Sequence, residues 1–342
     1  MKTMIDNIKK LCAISGVSGC EDLVADEIVS QIGAYCDCRR DALGNIIAFK
    51  KGKNTPAKKL VFSAHMDEVG FIVTDIEESG LLRFAVVGGI DNRVIVGKSV
   101  LVGKNNIYGC IGAKAVHLAK DSEKETPIEP DSLYIDIGAE NKADALKYVA
   151  LGDRAVFNSR FAAFGDNMIM GRALDDRAGC AAMIELIKDK LEYDCWFAFT
   201  TQEETGTTGA KAAAYAINAD VAVAVETTTA SDIPEIPPHK VVCRLSDGPV
   251  VSFMDKGTIY DTELYNWVLE LAKQNGIKCQ SKAGVYGGNE SRSFQTAGAG
   301  CRVIGISMPC RYLHSPSCVL NKNDIENTVA LLKAIVNNAD KL

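Results

Sequence analysis

Apolar side chains recur along residues 1–19 at the spacing of one helical face. Met4, Ile5, Ile8, Leu11 and Cys12 of "MKTMIDNIKKLCAISGVSG" make up that face. A second helix is predicted in "EDLVADEIVSQIG", opened by a capping box of Ser18 and Glu21 and closed at Gly33. Two short apolar runs, "NIIAFKK" and "KKLVFSAH", then predict strands.

From about residue 70 to 163 the texture changes. Short β-type runs, "GFIVTDI", "LLRFAVVG", "SVLVG" and "NIYGCIG", are punctuated by glycine, and long helical patterns are absent. Such a stretch predicts a small all-β barrel or sandwich. From about residue 165 helix and strand alternate. "DDRAGCAAMIELIKDKL" reads as helix, "CWFAFTT" as strand, "GAKAAAYAI" as helix and "DVAVAVE" as strand. "YDTELYNWVLELAKQNG", "CRVIGISMP" and "KNDIENTVALLKAIVNNADKL" continue as helix, strand and helix. Alternation of this kind needs crossover connections, so the expected fold class is α/β with a mainly parallel sheet flanked by helices. The economical arrangement is one α/β domain, residues 1–70 and 164–342, interrupted by a β-barrel-like domain of residues 71–163.

At 342 residues the chain is long enough for a domain with such an insertion. A net charge of −6 leaves no basic footprint and argues against nucleic acid as a partner. Asp6, Lys9 and Lys10 break any signal-like apolar core at the N-terminus. No apolar run approaches the roughly 18–20 residues that span a bilayer. A soluble, cytoplasmic protein with no membrane partner is expected. The twelve cysteines are scattered, with Cys36 and Cys38 the closest, and read as reduced thiols rather than disulfides or structural zinc ligands.

Candidate chemistry collects just past the predicted strands. "LVFSAHMDE" delivers His65 and Asp67, "WFAFTTQEE" delivers Glu203 and Glu204, "AVAVETTTASD" delivers Glu226, and "VIGISMPCRYLHSP" delivers His314. Asp175 and Asp176 in "GRALDDRAG" open a helix in the same half. The crevice beyond the carboxyl ends of parallel strands is where ligands bind in open α/β sheets. Singly, each cluster has an ordinary reading: a surface pair, solvated glutamates, a helix cap or a packed histidine. Jointly, two of only four histidines and several acids meet on one rim. Imidazole and carboxylate without thiolate suit zinc, cobalt or manganese, and the number of donors suits two divalent metal ions sharing a carboxylate. Asp67, two residues from His65, is placed to accept the second ring N–H and orient the imidazole. Neighbouring side chains at a strand end point to opposite faces, so the two glutamates can divide the labour. One ligates metal; the other takes the proton of the attacking water, because a ligating carboxylate keeps little basicity.

At these residues the sequence resembles the TET-type dinuclear metal aminopeptidases, metallopeptidase family forty-two, whose members are often labelled glutamyl aminopeptidase or endoglucanase. The resemblance runs nearly end to end and is carried by "DALGNIIA", "SAHMDEVGFIV", "GRALDDRAG", "TTQEETGTTGA" and "RYLHSP". It implies a metallopeptidase phosphorylase/hydrolase-like catalytic domain, an inserted all-β dimerisation domain, and a homo-oligomer, from a dimer up to a tetrahedral dodecamer. It implies Asp175 as bridging ligand, joined to Asp176 by a cis peptide, with His65 and Glu226 on one ion and Glu204 and His314 on the other. Glu203 is then the general base, Asp67 its catalytic companion, and peptides with a free N-terminus are the substrates.

Three departures stand out. Glu226 occupies a place where many members carry aspartate, with Asp232 as the fallback ligand. Glu290, in "GGNESRSFQ", stands where a "GGTD"-like segment is expected, and Cys310 and Cys318 flank His314 as packing thiols. Arg292 is a candidate selector for an acidic first residue, weighed against an arginine on a helix surface. The expected activity is metal-dependent removal of N-terminal residues from peptides. A deacylase or dipeptidase on the same centre is the nearest alternative. A metal-stabilised scaffold has no use for Glu203, and a glycosidase leaves the histidines unexplained.

Overall fold

The computed structural model describes residues 2–119 and 125–342. Its largest sheet has eight strands in the order Asp37–Arg40, Ile46–Lys50, Cys195–Thr200, Leu60–His65, Val221–Thr229, Arg302–Cys310, Val250–Ser252 and Gln280–Ser281. The four central strands are mutually parallel, so their carboxyl ends share one rim. All six residues of Leu60–His65 are buried, as a strand covered on both faces requires. From that strand the chain moves to one side, to Cys195–Thr200, and then to the other, to Val221–Thr229. Leu60–His65 is therefore the topological switch point, where such sheets open a crevice.

Helix Leu174–Lys188 lies on Leu60–His65 and Val221–Thr229 and packs against helices Lys2–Ala13 and Lys322–Asn337. The amphipathic face read from the N-terminal sequence buries Met4, Ile8, Leu11 and Cys12 in this core. Residues Gly70–Ile76, Leu82–Val87, Leu133–Asp136, Ile107–Ala113, Ser99–Val102 and Arg154–Phe157 form a closed barrel in that order. Its core centres on Phe71, which meets Phe84 and Phe157 edge-on at 5.1 and 5.2 Å.

A three-stranded antiparallel sheet, not anticipated from the sequence, joins Ala162–Phe164 and Met168–Gly171 to Cys318–Asn321. It ties the segment after the barrel to the segment after His314. All twelve cysteines are free thiols. Among the described residues, no helix is long and apolar enough to cross a membrane.

One local expectation fails. Helix Asp22–Ile32 has Glu21 at its N-cap, but no side chain caps it. The Ser18 hydroxyl instead donates to Asp67 Oδ2 at 2.6 Å, and Glu21 Oε1 accepts the Gln202 N–H at 3.0 Å. Glu21 is drawn to a distant turn whose Gln202 N–H needs an acceptor, and Ser18 to the Asp67 carboxylate.

Candidate metal centre

The strand register aligns the donors. Thr200 pairs with His65, and Glu226 stands opposite Ser307, so the segments that follow these strands emerge on one rim. Asp175 and Asp176 lie at the start of Leu174–Lys188, but their backbone is not helical, with ψ of 108° and 38°. The peptide between them is cis.

Asp175 is the centre of the cluster. Its Oδ2 lies 3.1 Å from His314 Nε2, and its Oδ1 lies 3.5 Å from His65 Nε2 and accepts the Thr227 hydroxyl at 2.8 Å. His65 Nε2 is also 3.7 Å from Glu226 Oε2, and His314 Nε2 is 3.3 Å from Glu204 Oε1. One donor atom from each of His65, Asp175 and Glu204 falls within 4.8 Å of the others, and the same holds for His65, Asp176 and Glu226. Each histidine has its second nitrogen occupied. His65 Nδ1 lies 3.1 Å from the Asp67 carbonyl and 3.4 Å from its carboxylate. His314 Nδ1 faces the carbonyl of Gly89, which follows a barrel strand, at 2.9 Å.

Burial and mutual charge set the protonation. Burial pushes the Glu203 carboxyl up to about 8 and that of Glu204 to about 7, against the pull of the imidazoles. Burial likewise drives Glu226 and Asp176 well above the carboxylate range. For His314, burial is outweighed by the Asp175 hydrogen bond and the Glu204 charge, which raise it to about 10. Burial is also outweighed at His65, which Asp175 and Asp67 hold well above its ordinary value. Asp175 would be raised by burial, but the two imidazoles keep it low.

A metal fits these residues. Glu204 Oε1 and Glu226 Oε1 are buried without a hydrogen-bond partner, although such oxygens are rarely left unsatisfied. The donor set is imidazole and carboxylate, the chemistry of zinc, cobalt or manganese.

Among the residues weighed in the sequence, Asp232 lies outside the cluster. Arg311 holds both its oxygens, at 2.7 and 2.8 Å, and Asp232 Oδ2 also accepts the Leu245 N–H at 3.0 Å. Glu290 is fully buried beneath the rim and accepts the hydroxyls of Ser63 and Thr200. Cys310 and Cys318 are both buried, and Cys318 Sγ donates to the carbonyls of Tyr312 and Ser315.

The cavity beside the cluster is lined by His65, Glu203, Glu226, Lys282, Tyr286 and Leu313 among others. Arg292 is not among its lining residues. Lys282 is. It is only 6% exposed, donates to the Tyr286 carbonyl at 2.9 Å, and has its pKa lowered by burial. No spacing rule signals such a lysine; only the folded cavity does.

The family model for M42 glutamyl aminopeptidase matches residues 44–331. A candidate aminopeptidase of Acetivibrio thermocellus is 39% identical over 96% of this chain and 97% of its own length. Among solved structures, an aminopeptidase from the archaeon Desulfurococcus kamchatkensis superposes with a TM-score of 0.93 at 32% identity, covering 98% of this chain and 95% of its own. The TET1 peptidase of Pyrococcus horikoshii, which can assemble into a tetrahedron or a large octahedral shell, superposes with a TM-score of 0.87 at 36% identity, covering 97% and 99%. On the family match and the whole-chain similarity, this chain belongs to the M42 glutamyl aminopeptidase family.

Proposed function

We propose that this aminopeptidase would hold two divalent metal ions, zinc, cobalt or manganese, with Asp175 shared between them. His65 and Glu226 would serve one ion, and Glu204 and His314 the other. The observation that carries this reading is the division of Asp175, with His65 beside one carboxylate oxygen and His314 beside the other. When bound, the ions would supply Lewis acidity toward the scissile carbonyl and lower the pKa of the attacking water.

The remaining work falls to the protein. Glu203, in the cavity wall, takes the proton from the water and passes it to the departing amine. Asp67 fixes the tautomer of His65 through Nδ1 and holds the Glu203 and Glu204 N–H groups at 3.0 and 3.1 Å. The first side chain of a peptide with a free N-terminus enters the cavity. There Lys282, rather than Arg292, is the cation that meets it and favours an acidic residue. Replacing Lys282 by Met is expected to lower kcat/KM for glutamyl-p-nitroanilide relative to leucyl-p-nitroanilide by about 10- to 100-fold. An unchanged ratio removes Lys282 from selection.

Residues 71–163 form, on this reading, an inserted domain through which copies associate, from a dimer up to a tetrahedral dodecamer, and the protein works in the cytoplasm. The tetrahedral and octahedral assemblies of the Pyrococcus horikoshii relative support the association of copies.

The direct test compares wild type with Glu203→Gln, each stripped and reloaded with zinc or cobalt, on aminoacyl-p-nitroanilides. The variant is expected to keep its metals and lose about 10²–10⁴-fold in kcat. Cleavage of N-acyl substrates alone would make the protein a deacylase. Tight metal binding without hydrolysis would make it a scaffold.

A further inference from the structure

Four successive backbone N–H groups, Thr201 to Glu204, end on side-chain oxygens from distant segments. Asn45 Oδ1 accepts the first at 2.9 Å, Glu21 Oε1 the second at 3.0 Å, and the two oxygens of Asp67 the third and fourth at 3.0 and 3.1 Å. These amides lie beyond Cys195–Thr200 and have left the sheet ladder. Gln202 sits in the left-handed region at φ 54°, where a residue with a Cβ needs tertiary support. Buried N–H groups must find acceptors, and here every acceptor is imported.

Glu21 stands out among them. It is 5% exposed, belongs to neither group of metal-spaced donors, and has no place in the chemistry above. Its Oε1 accepts both the Gly19 N–H at 2.8 Å and the Gln202 N–H, joining the loop between the first two helices to the turn before the proposed base. From the same loop, Ser18 donates to Asp67 Oδ2 at 2.6 Å, the oxygen that holds the Glu204 amide.

We propose that Glu21, supported by Ser18, is a positioning residue for Glu203: it fixes the residue 202 peptide and so aims the base. The inference rests on Glu203 being that base. A base must come within about 2.6–3.2 Å of the proton it takes, and a displacement of about 1 Å can cost 10²-fold in rate. Burial, and after it the Asp67 charge, raises the Glu21 carboxyl. What the two N–H groups need from Glu21 is an acceptor oxygen in the right place, whatever its charge.

The test uses Glu21→Ala, Glu21→Asp and Glu21→Gln in the full chain. Three quantities are read: kcat and KM on an aminoacyl-p-nitroanilide, metal content, and amide hydrogen exchange of the segment containing residues 201–207. Alanine removes the acceptor and aspartate is too short to reach, whereas glutamine keeps an acceptor oxygen at the same length. Ala and Asp should lower kcat about 10- to 100-fold with KM within about twofold, retain metal, and speed exchange locally at residues 202–204. Gln should stay near wild type in all three. If Ala fails to fold, the contrast between Asp and Gln decides. The proposal is overturned by unchanged kcat and exchange in Asp, by Gln as impaired as Asp, or by faster exchange across the whole chain. If wild type hydrolyses nothing, the peptidase mechanism falls, while exchange at residues 202–204 still decides whether Glu21 holds the turn.

Discussion

Asp67 illustrates how much one buried carboxylate does when four donors converge on it. It lies beside His65 Nδ1, accepts the Ser18 hydroxyl, and binds the N–H groups of Glu203 and Glu204. Burial, together with the charges in the cluster, makes the metal-free protein sensitive to pH. Folding raises Glu203 to about 8, Glu204 to about 7 and His314 to about 10. For each, the native state holds its proton more tightly than the unfolded chain, whose values are about 4.3 for Glu and 6.5 for His. The stability this contributes is complete below those unfolded values and is lost as pH rises through the folded ones. Asp67 and Asp175, held low, act in the opposite sense only at acid pH. Metal-stripped protein should therefore melt at a lower temperature near pH 9 than around pH 6, as calorimetry would show. Metal requires deprotonated ligands, so reloading near neutral pH should release protons, measurable by titration in buffers of different ionisation enthalpy.

The strand-to-helix element that follows Cys195–Thr200 depends on close approach. A Cβ on Gly209, in the first turn of Thr208–Ile217, would lie 2.3 Å from Asn45 Oδ1 and from the Thr201 carbonyl. Asn45 also donates to the Gly209 carbonyl at 3.0 Å, so the glycine lets the asparagine reach the turn. Gly209→Ala must push apart backbone and brace together. It is expected to destabilise the protein by about 1–3 kcal/mol, read from the urea midpoint, and to lower kcat with it. Of this element, the strand and its two acids were legible in "WFAFTTQEE", because an apolar run ending in charge marks a strand end. The brace was not. Ser18 and Glu21 carry the spacing of a capping box, and sequence spacing alone cannot tell whether a side chain turns to its own helix or to a turn far along the chain.

At the scale of the whole molecule, barrel and α/β sheet meet at the site. Gly89 delivers its carbonyl to His314, and Glu68, between His65 and the first barrel strand, is buried against Arg172 and Arg177. The barrel surface also exposes large apolar residues: Tyr108 at 71%, Val116 at 72% and Leu118 at 64%. If copies associate through the barrel, Tyr108→Glu with Val116→Glu should reduce the mass measured by light scattering. Activity on a small chromogenic substrate should persist, since neither residue lines the cavity. An unchanged mass would place the interface elsewhere.

The sequence by itself determined the alternation of elements, the α/β class, the strand ends and the inventory of donor residues. Those features are local, written in periodicity and in polar residues that close apolar runs. Only the tertiary structure decided which acids converge. Glu226 joins His65, while Asp232, six residues on, is bound to Arg311. Lys282 and Glu21 gained their places in the same way, since burial and the need to satisfy buried N–H groups arise only when distant segments pack.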